Sequence, residues 1–455
     1  MAELHEPAAP RFARVLKARA VLTLSFGAMI GWSWVLMTGV WVANAGSVGT
    51  LVAFAAGGLA IGFIAFTYAE LASAMPKAGG EHVYTLHALG PGWSFVCTWA
   101  LLMAYVTVCV FESVALPTAV EYLVPGIRVG TLWTVVDAPV DIGFVVVGWV
   151  GAIVMTVVNY VGIRTAAVVQ NIVTGMIVAA GIFLIAGAAT SGGIETARPF
   201  VAEPAIGILT VLIMVPAMLV GFDVLPQSAE EVDLPARRIG VLLVFSVGLA
   251  VLWYGAVSFA VASAIPNAEL GDANMATADA AARLWQHPWA GEALLIGGIG
   301  GILTSWNAFI IGGSRLIFAL AESGSLPAVF ARLHPRYKTP YAAIVLIGAL
   351  SCISPLFGRT ILVWLINTGS LAVVVAYIFV PIAFLVLRHR EPELPRPFEV
   401  RYPRLVGYTA IVLGVGLLCL YLPGSPSGLA WPHEWIIVLI WAAVGVLVWM
   451  RHHRR

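Results

Sequence analysis

Charge is what this chain has least of. Only 10% of its 455 residues are Asp, Glu, Lys or Arg, against about 25% in an ordinary soluble domain. With 60% hydrophobic residues and a mean hydropathy of +0.95, a water-soluble globular chain is excluded. The net charge of +1 offers no basic face, so no nucleic acid partner is expected. The four cysteines, Cys97, Cys109, Cys352 and Cys419, lie in apolar runs without metal-ligand spacing. They are expected to be core thiols, not a disulfide framework. A phosphate loop, a metal-ligand cluster and a nucleophile triad are also missing. No cofactor, no metal and no enzymatic activity are therefore expected. The stretch from Arg11 to Arg19 is charged, and no small-residue cleavage site closes a short apolar segment. It reads as a cytosolic tail entering the first helix, not a removed signal peptide.

Long apolar runs are what the chain has in quantity. Runs of spanning length fall at 18–44, 47–74, 92–123, 139–161, 165–189, 206–228, 239–264, 291–321, 341–357, 360–387, 404–422 and 435–451. The expected fold is an all-α polytopic membrane protein with twelve transmembrane helices. Lys and Arg concentrate on the cytosolic side of such proteins. With the N-terminus inside, 20 of the 24 basic residues fall in cytosolic segments. Both termini are thus expected in the cytosol of a cell-membrane protein, with tails at 1–17 and 452–455.

Two of these runs are interrupted. One reads Ser25-Phe26-Gly27-Ala28-Met29-Ile30-Gly31-Trp32-Ser33-Trp34-Val35 in span 1. The other reads Val220-Gly221-Phe222-Asp223-Val224-Leu225-Pro226-Gln227 in span 6. Broken backbone is tolerated at membrane depth only where it lines a cavity or is buried in protein. A matched pair of breaks marks the substrate site between inverted repeats. Span 1 starts inside and span 6 starts outside, so residues 18–189 and 206–387 are expected to be inverted copies. Spans 11 and 12, at 404–451, are appended.

Four stretches together resemble the amino acid–polyamine–organocation superfamily. The first is Gly27-Ala28-Met29-Ile30-Gly31. The second joins Tyr68-Ala69-Glu70-Leu71 to Met75-Pro76-Lys77-Ala78-Gly79-Gly80-Glu81-His82-Val83-Tyr84 and Leu89-Gly90. The third is Gly221-Phe222-Asp223 with Ala229-Glu230-Glu231-Val232-Asp233-Leu234-Pro235 and Arg237. The fourth is Ser314-Arg315 with Gly324-Ser325-Leu326-Pro327 and Thr339-Pro340. The resemblance implies the LeuT-type five-plus-five fold and secondary transport of amino acids or amines. It implies a cradle for a substrate carboxylate at the span 1 break. There the usual glycine–serine–glycine reads Gly31-Trp32-Ser33. It also implies that span 6 receives the substrate's amino group and apolar side chain, with Phe222 as wall or lid. The lysine that many proton-coupled relatives carry in span 5 falls at about Ile177, which holds no charge.

The expected substrate residues are Ile30, Gly31, Trp32, Ser33, Trp34, Ala104, Glu112, Val220, Gly221, Phe222 and Asp223. Asp223 is either a functional acid within a span or a cap on the second half-helix. Glu112 sits near the middle of span 3, with no Lys, Arg or His deep in a span to pair with it. An unpaired buried carboxylate is costly when charged. Glu112 is therefore expected to be neutral in the empty protein, fit to carry a proton or to meet a substrate amine. Ser305 and Asn307 in span 8 offer oxygens to sodium or serve as interhelical glue. Trp32, Trp34, Phe222 and Trp306 are placed near the cavity, while Trp93, Trp133, Trp285, Trp289, Trp431 and Trp435 belong to interfacial belts. The charged loop Glu230–Arg238 reads as part of an inner gate or as a solvated loop.

The leading expectation is an importer of an amino acid or small organic amine in the lipid bilayer, with a proton as coupling ion. An amino acid–polyamine exchanger and a sodium-coupled permease are the alternatives within the fold. An intramembrane enzyme or a channel is the remote alternative.

Overall fold

Helices follow directly from the apolar runs, because lipid leaves backbone groups no partners outside their own segment. The computed structural model describes residues 12–135, 138–270, 273, 275–359, 361–425 and 428–453. Residues 1–11 of the expected N-terminal tail and 454–455 of the C-terminal one lie outside them. The protein is an all-α polytopic membrane protein, with one small hairpin pairing Thr131–Val135 with Ala138–Asp141.

Among the described residues, nine helices are long and apolar enough to cross a membrane. They are span 2 (Ser47–Ala74), span 3 (Pro91–Leu123), span 4 (Ile142–Val161), span 5 (Ile163–Ser191) and span 7 (Ala236–Ala262). Span 8 (Pro288–Glu322), span 10 (Ile361–Arg390), span 11 (Pro403–Leu420) and span 12 (His433–His453) complete the set. Three shorter apolar helices occupy the remaining positions, Ala18–Met29, Ile206–Met218 and Tyr341–Phe357. The first two belong to spans 1 and 6 and are short because both are interrupted. Span 4 begins later than its apolar run suggests. Pro139 and Val140 pair in the hairpin opposite Thr134 and Trp133, and Asp141 is still extended at φ −98° and ψ 151°.

Packing follows a pattern. Span 3 lies on spans 4, 8 and 10, and span 8 on spans 3, 5 and 9. Span 2 packs on the first half of span 6, and span 7 on the first half of span 1. Spans 2 and 7 pack together, as do spans 4 and 9. Span 8 is the buried centre post, whereas spans 11 and 12 are mostly exposed at the periphery. Span 12 is held to span 3 by a reciprocal pair: each indole N–H of Trp99 and Trp441 donates to the other's carbonyl at 2.9 Å.

The lead into span 1 is tied to the exit of span 6. Val15 and Leu16 amides both donate to the Glu231 carbonyl at 2.9 Å, and the Asp233 amide donates to the Leu16 carbonyl at 2.9 Å. All four cysteines are free thiols; Cys97 and Cys109 are buried, but Cys419 is exposed on span 11 and is no core thiol.

Candidate functional site

Span 1 loses its hydrogen-bond ladder at a glycine followed by a bulky indole. Helix Ala18–Met29 ends at Ile30, whose φ of −94° and ψ of 65° leave the helical region. Helix resumes at Ser33. Between them, the amides of Gly31 and Trp32 make no hydrogen bond among the described residues. Span 7 fills part of the gap. The Tyr254 hydroxyl donates to the Met29 carbonyl at 2.7 Å and lies 3.1 Å from Ser33 Oγ. Tyr254 is itself fixed by stacking on Phe54 at 5.0 Å and by Trp41 edge-on at 5.5 Å.

Span 6 stops at Met218 and turns through Gly221, at φ +127°. L side chains rarely adopt that conformation, and glycine does so freely. The position is closed sterically as well: a Cβ on Gly221 would lie 2.8 Å from the carbonyl carbon of Ala28 and 2.9 Å from the Met29 nitrogen. The two breaks therefore face each other backbone to backbone. Asp223 secures the second one. Its Oδ1 accepts from the Gly221 amide at 2.7 Å, and its Oδ2 from the Tyr105 hydroxyl of span 3 at 2.7 Å. It makes no side-chain cap on the helix Val224–Gln227.

A cavity lies beside the breaks. Gly31, Trp32, Ser33, Ala104, Glu112, Val220 and Ser305 all line it. Its other walls are mostly apolar, among them Phe111, Met218, Phe309, Leu365, Ile366 and Val373. Among the described residues, Glu112 is the one ionisable side chain lining it. Its Oε1 accepts from the Ser305 hydroxyl, while its Oε2 is buried without a hydrogen-bond partner among the described residues. Gly31 sits against this pair: a Cβ there would lie 3.3 Å from Ser305 Oγ and 3.5 Å from Glu112 Oε1.

Residues 16–448 match the sequence model of the amino acid permease family. The chain belongs to this family, within the amino acid–polyamine–organocation superfamily. It is 27% identical over 451 residues to a branched-chain amino acid permease of Bacillus subtilis, covering 97% of this chain and 93% of that one. It is likewise 27% identical over 447 residues to a methylthioribose transporter of the same organism, covering 97% and 94% of the two chains. A vacuolar cationic amino acid transporter of Arabidopsis thaliana is 25% identical over 405 residues, 86% of this chain and 62% of that one. These relatives are transporters, which supports a transport role and not an enzymatic one.

Several sequence-predicted residues of the permease lie away from the cavity. Ile30 is buried in the core. Trp34 packs edge-on to Trp253 of span 7 at 5.6 Å. Gly221 and Asp223 hold the break from behind. Phe222 is fully buried, stacked on Tyr377 of span 10 at 5.5 Å and edge-on to Tyr68 of span 2 at 5.3 Å. Trp306 faces Gly151 of span 4, and Ile177 faces Gly300 of span 8.

The two span 8 residues considered for sodium are engaged by protein groups. The Asn307 amide donates to Gln170 Oε1 at 2.8 Å and to the Ala166 carbonyl at 3.0 Å, and its oxygen accepts from Asn159 at 2.9 Å. That knits spans 4, 5 and 8 together. The Ser305 hydroxyl lies on Glu112 and 2.9 Å from the Gly301 carbonyl. Among the described residues, no group of three or more His, Cys, Asp or Glu could hold a metal ion.

Sequence reasoning missed three features of the permease. Tyr254 gave no local signal, since its role depends on span 7 crossing span 1. The span 10 wall was signalled only by Thr368-Gly369-Ser370 in an otherwise apolar run. Arg315, noted in the sequence as part of the Ser314-Arg315 motif, is buried within span 8. Its guanidinium grips Glu231 at 2.8 and 3.1 Å, so part of the charged 230–238 loop is a packed joint instead of a solvated one.

Proposed function

We propose that this permease is a secondary active importer of an amino acid or small organic amine, working by alternating access around spans 1 and 6. The observation that carries the reading is the cavity beside two touching helix breaks, with one ionisable group in its wall. The unpaired amides of Gly31 and Trp32 suit a substrate carboxylate, since converging N–H groups favour anions. The apolar walls suit an aliphatic side chain, in keeping with the branched-chain amino acid permease among the relatives. The free Oε2 of Glu112 suits a substrate ammonium, or a proton carried inward.

The repeat reading of 18–189 and 206–387, with twelve crossings, is supported by the packing pattern. Adding or subtracting five turns the 3–10 contact into 8–5, 2–6 into 7–1 and 3–4 into 8–9. The contacts 2–7, 3–8 and 4–9 map onto themselves. Cytosolic termini in the cell membrane are supported by the bias of basic residues. Proton coupling through Glu112 is preferred to sodium because Ser305 and Asn307 already serve protein groups. The apolar Ile177 in span 5 favours a second reading, an exchanger of amino acids or polyamines.

The test is purified permease melted with single amino acids, polyamines and simple amines, followed by uptake into proteoliposomes. Ligands that bind only the folded state raise its melting temperature. Stabilisation by an aliphatic amino acid, with accumulation driven by an inward proton gradient, is expected. Exchange that ignores the proton gradient selects the exchanger. Stabilisation by none of these compounds overturns the reading.

A further inference from the structure

Between the end of span 2 and the start of span 3 lies a short helix, Glu81–Leu89. Its entry docks on the second half of span 6, where the Gly79 amide donates to the Gln227 carbonyl at 3.2 Å. Glu81 opens this helix and is fully buried. Its Oε2 accepts from the Gln227 side-chain amide. Its Oε1, the Gln227 Oε1 and the hydroxyls of Tyr68 and Tyr377 are all buried without hydrogen-bond partners among the described residues. An acid in this position needs a cation or a proton, since an uncompensated buried charge is strongly destabilising.

Among the described residues, the groups around Glu81 supply no cation. Its own helix brings Tyr84 and His82; span 2 brings Tyr68; span 3 brings Cys97; span 6 brings Asp223 and Gln227. Tyr105 and Tyr377 face the same two acids from spans 3 and 10. The His82 ring is engaged by Thr98 at 3.0 Å and Ser94 at 3.1 Å through Nδ1, and burial lowers its pKa to about 4. It is therefore neutral near pH 7. Burial holds the Glu81 carboxyl well above the usual carboxylate range, and the neighbouring Asp223 adds to that effect.

We propose that Glu81 is a proton-binding site of the inner gate, protonated while its helix is docked on span 6 and ionised once the two part. On parting, the carboxyl O–H bond breaks, the proton passes to cytosolic water, and the carboxylate stays on the chain. Redocking reverses the step. The site's role in transport rests on the reading above; its existence as a proton site does not. It is separate from Glu112, which lines the cavity.

The test is infrared difference spectroscopy of the purified full-length permease without substrate, titrated from pH 5 to pH 8. The variants are Glu81→Gln, Glu112→Gln and Asp223→Asn. A protonated buried carboxyl gives a carbonyl band distinct from an ionised carboxylate. One such band is expected to persist near pH 7 in the unmodified chain and to be lost in Glu81→Gln but kept in Glu112→Gln. Gln227→Met keeps the acid and removes its amide donor; it is expected to shift that band without abolishing it, and it serves if Glu81→Gln folds poorly. A full set of bands in Glu81→Gln, or no response to Gln227→Met, overturns the proposal. So does a band that disappears on adding sodium or potassium at constant pH, which would mark a cation site. Because no substrate is present, these outcomes stand apart from success or failure of the transport assay.

Discussion

Gly221 of span 6 and Ala28 of span 1 meet main chain to main chain, with no room for a methyl group between them. The contact is why the two interruptions share one site. It also makes Gly221→Ala a double fault, of conformation at φ +127° and of space. The variant is expected to lose several kcal/mol and to melt well below the unmodified permease in detergent. Gly175→Ala is the control. Gly175 lies within helical span 5, where an added Cβ meets nothing within 4 Å. It is expected to melt at the same temperature or slightly higher, as helix propensity favours alanine by about 1 kcal/mol.

Glu112→Gln keeps shape and hydrogen bonding but holds no charge and releases no proton. Accumulation driven by a pH gradient is expected to be abolished. Surviving counterflow of substrate assigns Glu112 as proton carrier, and its loss together with binding assigns it as amine partner. Unchanged accumulation removes Glu112 from the mechanism. Ser305→Ala takes away the hydrogen bond that the Glu112 side chain receives from Ser305 and is expected to weaken the same step.

Phe222→Ala is expected to act on stability before it acts on uptake. The ring is fully buried between Tyr68 and Tyr377, and truncating such a phenylalanine costs about 3–5 kcal/mol. Denaturation of the detergent-solubilised protein measures it. Phe111→Ala, by contrast, alters a cavity wall. It is expected to change substrate affinity with a smaller drop in melting temperature.

Glu231 and Arg315 are each 1% exposed. Removing either partner leaves a buried charge, at a cost of about 3–5 kcal/mol. Glu231→Gln and Arg315→Met are each expected to be unstable. The double variant is expected to recover much of the loss, which a double-mutant cycle of melting temperatures reads directly.

The stability of the permease is expected to fall with rising pH through Glu81. Burial raises its folded carboxyl well above the usual carboxylate range, whereas the unfolded chain releases the proton above about pH 4.3. The folded state then binds more protons than the unfolded one, and stability declines as pH rises. Between pH 5 and pH 8 the melting temperature of Glu81→Gln is expected to decline less steeply than that of the unmodified chain.

The sequence marked the long helices and both interruptions because each depends on local chemistry: apolar length in one case, glycine placement in the other. It also marked Glu112 and Gly31 as substrate residues and Ser305 as a sodium candidate, and the fold gathers all three around one cavity. It did not give the direction of side chains beyond a break. After Gly221 the helix phase is reset, so Phe222 and Asp223 turn toward Tyr377 and Tyr105 and away from the cavity. Tyr254, the span 10 wall and the Arg315–Glu231 joint depend on contacts between distant segments, which no local pattern encodes.

The short backbone pairing of Val15 and Leu16 with Glu231 and Asp233 has a mechanical consequence. It fastens the lead into span 1 to the exit of span 6 through main-chain groups alone, so a displacement of one is expected to be passed to the other without any side chain having to transmit it.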